Sequence, residues 1–120
     1  MTDHGLREAI CGNNEKDINL ILENIVFMAM LRRGYKINIG RVGNEEIDFV
    51  CRKGSKKVYI QVAYILSSEK TIEREFSVLK KVPDNFAKFV ISTDKFDFSR
   101  DGIKHLNIID FLKDSSLIRG

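Results

Sequence analysis

Apolar residues recur at helical spacing between residues 14 and 33, and both ends of this stretch carry helix signals. Asn14 can cap the amino terminus, and Gly34 follows two arginines that suit the carboxyl end of a helix. One stripe faces a core, but apolar residues also cover most of the circumference. The pattern predicts a helix packed on its own sheet, with surface left for a partner subunit; its main stripe is Ile18, Leu22, Ile25 and Ala29.

Three strands joined by tight turns are predicted next, over residues 35–42, 45–52 and 57–66. Gly43 and Asn44 form the first turn, and Gly54 and Ser55 form the second. The three strands therefore make an antiparallel meander. The third strand, VYIQVAYIL, is apolar on both of its faces, which predicts a central position with other elements packed above and below.

The remainder of the chain predicts a second helix over 68–81, strands over 87–92 and 106–109, and a brief helix over 110–113. The stretch DKFDFSRDGIKH lies between the last two strands, and its aromatic residues predict a loop folded onto the body. A helix between the third and fourth strands makes a crossover, which favours parallel pairing there. The fold class predicted is α/β, a mixed central sheet flanked by helices.

The composition sets limits on the class of protein. A chain of 120 residues is the size of a single domain, here 1–120, and 43% apolar with 31% charged residues is typical of a globular protein. A net charge of +3 permits a nucleic-acid partner without requiring one. The longest apolar run is too short to cross a bilayer and no leader pattern is present, which predicts a cytoplasmic protein with no membrane partner. Cys11 and Cys51 are isolated and predict two free thiols.

The predicted order αβββαβ resembles that of the PD-(D/E)XK, or restriction-endonuclease-like, superfamily. Members hold Mg²⁺ or Mn²⁺ with oxygen ligands and use a lysine two residues after the last ligand. The resemblance places Glu23 on the first helix, Asp48 on the second strand and Gln61 on the third. Ala63 stands where the lysine is expected, and alanine can neither orient water nor stabilise charge. The site is therefore expected to be a degenerate remnant, with metal bound by these three residues only if it is active.

Each of these residues also has a structural interpretation. Glu23 faces either a polar pocket or a narrow wet stripe shared with Asn19. Strict alternation makes Asp48 an ordinary outward-facing acid, on the face of Glu46 and Val50. Gln61 has a hydrogen-bonding task in the middle of a central strand, either in a site or in a structural network with Asp48. Three further predictions concern other polar residues. Arg74 and Glu75 form an exposed ion-pairing face, on a helix that borders the site in the nuclease fold. The lysines near Gly54 are solvated turn residues, with contact to phosphate as the alternative, and His4 and His105 form no triad or metal pair.

A closer resemblance covers about residues 3–114. It is carried by DHGLREAICG (3–12), ENIVFMAMLRRGYKINIGR (23–41), EIDFV (46–50), YIQVAYIL (59–66), EREF (73–76) and DFSRDGIKHLNIIDFL (97–112). Together these segments resemble a domain of unknown function found at the carboxyl terminus of bacterial and archaeal AAA-type ATPases. The resemblance implies a PD-(D/E)XK relative that often lacks the lysine, and an ATPase module preceding it; this chain has no GxxxxGK[ST] motif.

Three functions are compatible with these patterns. The first is a catalytically degenerate nuclease-fold module of an AAA-type ATPase, with a regulatory, nucleic-acid-binding or assembly role, DNA being the expected partner and no cofactor being needed. The second is an active Mg-dependent DNA endonuclease, resolvase-like, that uses Glu23, Asp48 and Gln61. The third is an oligomerisation domain only, using the first helix or a sheet edge to form a homodimer.

Overall fold

The computed structural model describes residues 15–66, 68–114 and 118, with the side chains of residues 15 and 16 left aside. The helices are α1 (Glu15–Arg32), α2 (Glu69–Lys80) and α3 (Ile108–Lys113). The strands are β1 (Lys36–Val42), β2 (Glu45–Lys53), β3 (Lys56–Val62), β4 (Ala87–Ser92) and β5 (Lys104–Asn107). Four predictions lie outside the described residues: the Asn14 cap, the Cys11 thiol, the role of His4 and the matched segment 3–12.

The five strands form one mixed sheet in the order β1-β2-β3-β4-β5. The first three strands pair antiparallel, while β3, β4 and β5 run parallel, with α2 as the crossover between β3 and β4. The predicted α/β fold with a mixed sheet flanked by helices is confirmed, and this order is compatible with a restriction-endonuclease-like core. As predicted, β3 lies at the centre.

Apolar side chains cover both faces of the sheet. On one face α1 and α3 pack through residues such as Leu22, Val26 and Phe111. On the other face α2 packs through Ile72 and Phe76. The side chains of β3 alternate between the two clusters, which is why its sequence reads as a continuous apolar run.

A β-bulge interrupts the pairing of β1 with β2. Asn38 pairs with Val50 and Gly40 pairs with Ile47, so Asp48 and Phe49 together oppose the one residue between them, Ile39. The extra residue changes the alternation, and Ile47 and Val50 join the same apolar cluster. The prediction from strict alternation that Asp48 is an ordinary outward-facing acid is therefore wrong, because the bulge turns this residue inward to half-burial.

The structure corrects the bounds of two predicted strands. The third was predicted to reach residue 66, but β3 ends at Val62, and Leu66 N–H donates to Asp94 Oδ2 at 2.7 Å as the chain leaves the sheet. The strand predicted over 106–109 lies two residues earlier because Asn107 caps α3. Its Oδ1 accepts hydrogen bonds from the backbone N–H groups of the next turn, at 2.8 Å from Ile109.

The outer side of α1 exposes apolar side chains to solvent. Its predicted inner stripe is buried, whereas Leu20 and Met28 are 61% and 48% exposed. The prediction that this helix has surface left for a partner is compatible with that exposure, but no partner chain tests it. Among the described residues, no helix combines the length and apolar character that a membrane span requires.

Candidate functional site

A polar cleft opens where β2 and β3 separate, between α1 on one face and α2 on the other. The pairing of β2 with β3 ends at Phe49 with Ile60, so the next residues, Asp48 and Gln61, are not paired with each other, although Gln61 still pairs with Val90 of β4. The cavity is about 350 Å³. The residues predicted from the sequence, Glu23, Asp48 and Gln61, all line it, together with Asn19, Glu75 and other residues of β2 and α2. We call this cavity the polar cleft.

Asp48 and Gln61 replace the missing ladder with two side-chain bonds. The Asp48 N–H donates to Gln61 Oε1 at 2.7 Å, and the Val62 N–H donates to Asp48 Oδ2 at 2.8 Å. Each side chain thus satisfies a backbone donor of the opposite strand. Because an unpaired buried N–H is costly, these two bonds stabilise the point at which the strands separate.

These bonds also fix the orientation of the Gln61 amide. Since the Asp48 N–H is a donor, the oxygen of the amide must face it, and the nitrogen faces the cleft. The Nε2 group lies 3.4 Å from Glu75 Oε1 and donates toward it. The atom that Gln61 would use to bind a metal is therefore engaged with the backbone, and the cleft receives an N–H donor instead.

Five carboxylates line the cleft, Glu23, Glu45, Glu46, Asp48 and Glu75, and three of them have raised pKa values. Burial raises the pKa of Glu23, and the nearby charges of Asp48 and Glu75 raise it further. Burial also raises the pKa of Asp48, although the Val62 N–H bond acts in the opposite direction. The pKa of Glu75 is raised by burial and by Asp48, against the lowering effect of Arg74. The cleft therefore favours cations or protons over anions.

The lysine position of the resemblance is buried in apolar surroundings. Ala63 lies on the same face as Gln61, as the two-residue spacing predicts, and is 5% exposed within the cluster that includes Leu66 and Ile72. The described residues that line the cleft include no lysine; their cation is Arg74. Its guanidinium is 3.5 Å from Glu75 and its side chain is 70% exposed. Among the side chains that the structure describes, no ammonium group lines the cleft beside Asp48.

A divalent cation such as Mg²⁺ requires several oxygen ligands that converge on one point. Among the described residues, no group of three His, Cys, Asp or Glu side chains is close enough to hold a metal ion. With its nitrogen facing the cleft, Gln61 does not fit as a third ligand in the predicted set. One observation points the other way: the Oδ1 atom of Asn19 is buried and has no hydrogen-bond partner among the described atoms. Asn19 and Glu23 are one helical turn apart and both face the cleft.

Glu75 is a cleft residue that the sequence interpretation placed elsewhere. Arg74 and Glu75 do form an ion pair, but the side chain of Glu75 is only 16% exposed. The prediction of an exposed pair is therefore wrong for Glu75. The signal was available in the helix, because Ile72, Phe76 and Leu79 bury one face of α2 and Glu75 lies at the edge of that face.

His105 lies in a separate polar network, away from the cleft. Phe98 N–H donates to its Nδ1 at 3.3 Å, so the neutral ring carries its proton on Nε2, 2.7 Å from Ser92 Oγ. Ser92 in turn donates to Asp94 at 2.8 Å. Activation of a serine requires the carboxylate to orient the histidine. Here the Asp94 carboxylate contacts Ser92 instead of His105, so these three residues are not arranged to activate a nucleophile. The other histidine, His4, lies outside the described residues.

Comparison with known proteins gives one relative and no family. No family model matches the chain. An uncharacterized protein of Haemophilus influenzae is 35% identical over 113 residues, which are 93% of this chain and 28% of that protein. The chain thus spans little more than a quarter of the curated relative that it matches. In that relative the similar region belongs to a chain more than three times as long.

Proposed function

We propose that this protein is a catalytically degenerate nuclease-fold module of a larger ATPase, with a regulatory, nucleic-acid-binding or assembly role. The bonds of Asp48 and Gln61 to the backbone carry the proposal. They use Gln61 Oε1 and one carboxylate oxygen of Asp48, Oδ2, to link the two strands where their ladder ends, which is a structural task. The same proposal places the chain in the family of ATPase carboxyl-terminal domains that its segments resemble.

One further observation supports the absence of catalysis. Ala63 is packed among apolar side chains and supplies no charge where the nuclease pattern has a lysine. The length of the Haemophilus influenzae relative supports a module that works beside other domains.

A cleavage assay tests this proposal. The protein is incubated with Mg²⁺ or Mn²⁺ and with single-stranded, double-stranded and branched DNA. The expected result is intact DNA with every substrate and metal. Cutting that disappears in Asp48→Ala and persists in Glu73→Ala, an acid of α2 outside the cleft lining, would overturn the proposal.

An active endonuclease is the second candidate, and the unpartnered Asn19 oxygen favours it. A divalent cation near Asn19 and Glu23 would satisfy that acceptor and reduce the repulsion among the carboxylates. Calorimetric titration with Mn²⁺ distinguishes the two candidates. The active enzyme requires binding that Glu23→Gln abolishes, whereas the degenerate module does not require any binding.

An oligomerisation role is supported only by the exposed apolar side of α1. Leu20 and Met28 lie two helical turns apart there and Leu31 follows, which is the spacing of a helix interface. Light scattering at high concentration tests it: a homodimer that Met28→Glu dissociates is the expected result for this role, and a monomer would contradict it.

A further inference from the structure

Five cations occupy the end of the β1–β3 meander that lies away from the polar cleft. Lys36 pairs directly with Arg52, and Arg52 pairs directly with Lys57, so three cationic residues stand side by side across three strands. Lys53 and Lys56 face each other at the adjoining turn. We call Lys36, Arg52 and Lys57 the basic row.

The basic row destabilises the fold. Directly opposed residues of antiparallel strands share a face, with Cβ atoms about 5 Å apart, and like charges in such pairs are destabilising. Acids are absent from the neighbouring sequence as well: residues 24–44 and 49–68 contain no Asp or Glu. An arrangement that opposes folding in this way is expected where the charges have a ligand.

These cations have no carboxylate partners within residues 15–66 and 68–114. The ion pairs of that part of the chain belong to other cations, including Arg41, Lys81 and Arg100. Lys36 and Arg52 are exposed to solvent, and Lys57 is half-buried against aromatic rings. The basic row is therefore available to an external anion without first breaking an internal ion pair.

An aromatic surface adjoins the basic row. The Nζ atom of Lys57 lies 5.0 Å from the ring centroid of Tyr59 and 5.5 Å from that of Phe86. The side chain of Phe86 is 41% exposed, so part of its ring is open for stacking. A base can stack on such a ring while lysines hold the flanking phosphates, which is how sequence-tolerant single-strand binders work.

The cleft and the row lie apart along β2. Arg52 follows Asp48 by four residues, a span of at most about 13 Å at 3.3 Å per residue that the bulge shortens. Because the Debye length at 0.1 M salt is about 10 Å, screening reduces the effect of the cleft carboxylates on anions at the row without removing it. The same carboxylates repel phosphates from the cleft itself.

From this geometry we propose that the basic row, with Phe86 beside it, is a binding site for single-stranded nucleic acid. The phosphodiester backbone lies across Lys36, Arg52 and Lys57, and a base stacks on the Phe86 ring. The site is distinct from the cleft in which a nuclease of this fold would hold its substrate. It deepens the proposed function by naming the ligand and the surface, and it rests on that proposal only for its biological role.

Fluorescence anisotropy with a labelled single-stranded oligonucleotide tests the site. The variant combines Lys36→Gln, Arg52→Gln and Lys57→Gln. At about 0.1 M salt we expect its affinity to fall at least about tenfold, because three phosphate contacts are lost. The slope of log K against log salt should become shallower by about 2, from about 0.7 per lost contact. Phe86→Ala should weaken binding several-fold and leave that slope unchanged.

A matched variant controls for net charge. Lys70→Gln, Lys95→Gln and Lys104→Gln remove three exposed cations, from α2, from the loop between β4 and β5, and from β5. This control should lose less than about twofold in affinity, while a thermal melt verifies that both triple variants are folded. Equal losses in the two triple variants would overturn the site, because the attraction would then come from net charge alone.

Two other outcomes also decide the matter. Binding of vesicles rich in anionic lipid, without binding of the oligonucleotide, would overturn the proposal in favour of a membrane surface. Metal-dependent cutting of the oligonucleotide would contradict the degenerate function but would leave the effect of the basic row on binding intact. The two failures are therefore distinguishable.

Discussion

The polar cleft and the basic row lie on the same strand, and they treat charge in opposite ways. In the cleft, Asp48 is half-buried, and its carboxylate accepts a hydrogen bond from the backbone of β3. In the row, Arg52 is exposed and stands between two other cations. In the cleft, Asp48 and Gln61 form hydrogen bonds with the backbone, whereas the row leaves its charges to the solvent.

The two regions differ in what their polar groups already bind. Asp48 and Gln61 match a nuclease pattern, yet each uses an oxygen to link the two strands where their ladder ends. The cations of the basic row match no motif and have no carboxylate partner among the described residues. Charges whose repulsion is not compensated internally indicate an external ligand, and by this criterion the row suits an anion and the cleft suits a cation or a proton.

The largest expected effect tests the structural role of the cleft. Gln61→Leu keeps the approximate volume of a side chain that is 5% exposed, but it leaves the Asp48 N–H without an acceptor. An unsatisfied buried donor costs about 1–3 kcal/mol, and urea denaturation should show a loss of free energy of unfolding of that size. Asn24→Ala, at an exposed position of α1, is the control and should change stability by less than about 0.5 kcal/mol.

A loss below that control value in Gln61→Leu would mean that the Asp48 N–H does not depend on the Gln61 oxygen. The amide would then be free for a ligand. The structural role assigned to Gln61 and Asp48 in the cleft would then be wrong.

A smaller effect, with a defined pH dependence, tests the repulsion within the cleft. Because its pKa is raised in the folded state, Glu23 favours folding when protonated and opposes it when ionised. The contribution of Glu23 to the free energy of unfolding is therefore fully present below the ordinary glutamate pKa and is lost as the pH rises through its raised pKa. Glu23→Gln should gain stability at pH 7, by less than about 1 kcal/mol given its partial exposure, and the gain should vanish near pH 4.

Denaturation curves at the two pH values measure this difference. Glu73→Gln is the matched control, since Glu73 lies 3.7 Å from Arg100 and pairs with a cation rather than with other acids. It should show no gain at pH 7. A gain in Glu23→Gln that persists at pH 4 would show that the gain does not come from charge repulsion.

The smallest effect concerns the cost of the basic row. Arg52→Gln removes the central cation from between Lys36 and Lys57, and it should raise the free energy of unfolding by a few tenths of a kcal/mol. Added salt should stabilise the wild-type protein more than the variant. Salt screens the repulsion among the three cations, and the variant has already lost part of that repulsion. A variant that is less stable than the wild type at every salt concentration would show that repulsion within the basic row does not destabilise the fold.

The sequence predicted the order of elements and the central position of β3, because apolar periodicity and turn residues report directly on local structure. The bulge at Asp48 was not predictable from that periodicity, since a change of alternation depends on the register of two strands. Strict alternation consequently placed Asp48 on the wrong side. The predicted convergence of Glu23, Asp48 and Gln61 came from the family pattern, and all three do line one cavity.

Other features of the site depended on tertiary contacts. The inward position of Glu75 follows from how α2 lies on the sheet. The alignment of Lys36, Arg52 and Lys57 follows from the pairing register, although the absence of acids around them is visible in the sequence. Asn107 is a different case, because asparagine before an apolar run is an ordinary capping signal that locates the start of α3.

The most direct test of the account is to map, by amide chemical shifts, where a single-stranded oligonucleotide contacts the protein. At 13.8 kDa the chain is well suited to this measurement. The account predicts that the shifts concentrate at Arg52, Gly54, Lys57 and Phe86, while Asp48 and Val62 in the cleft stay unchanged. Shifts centred on Asp48 and Val62, with the basic row unaffected, would contradict it.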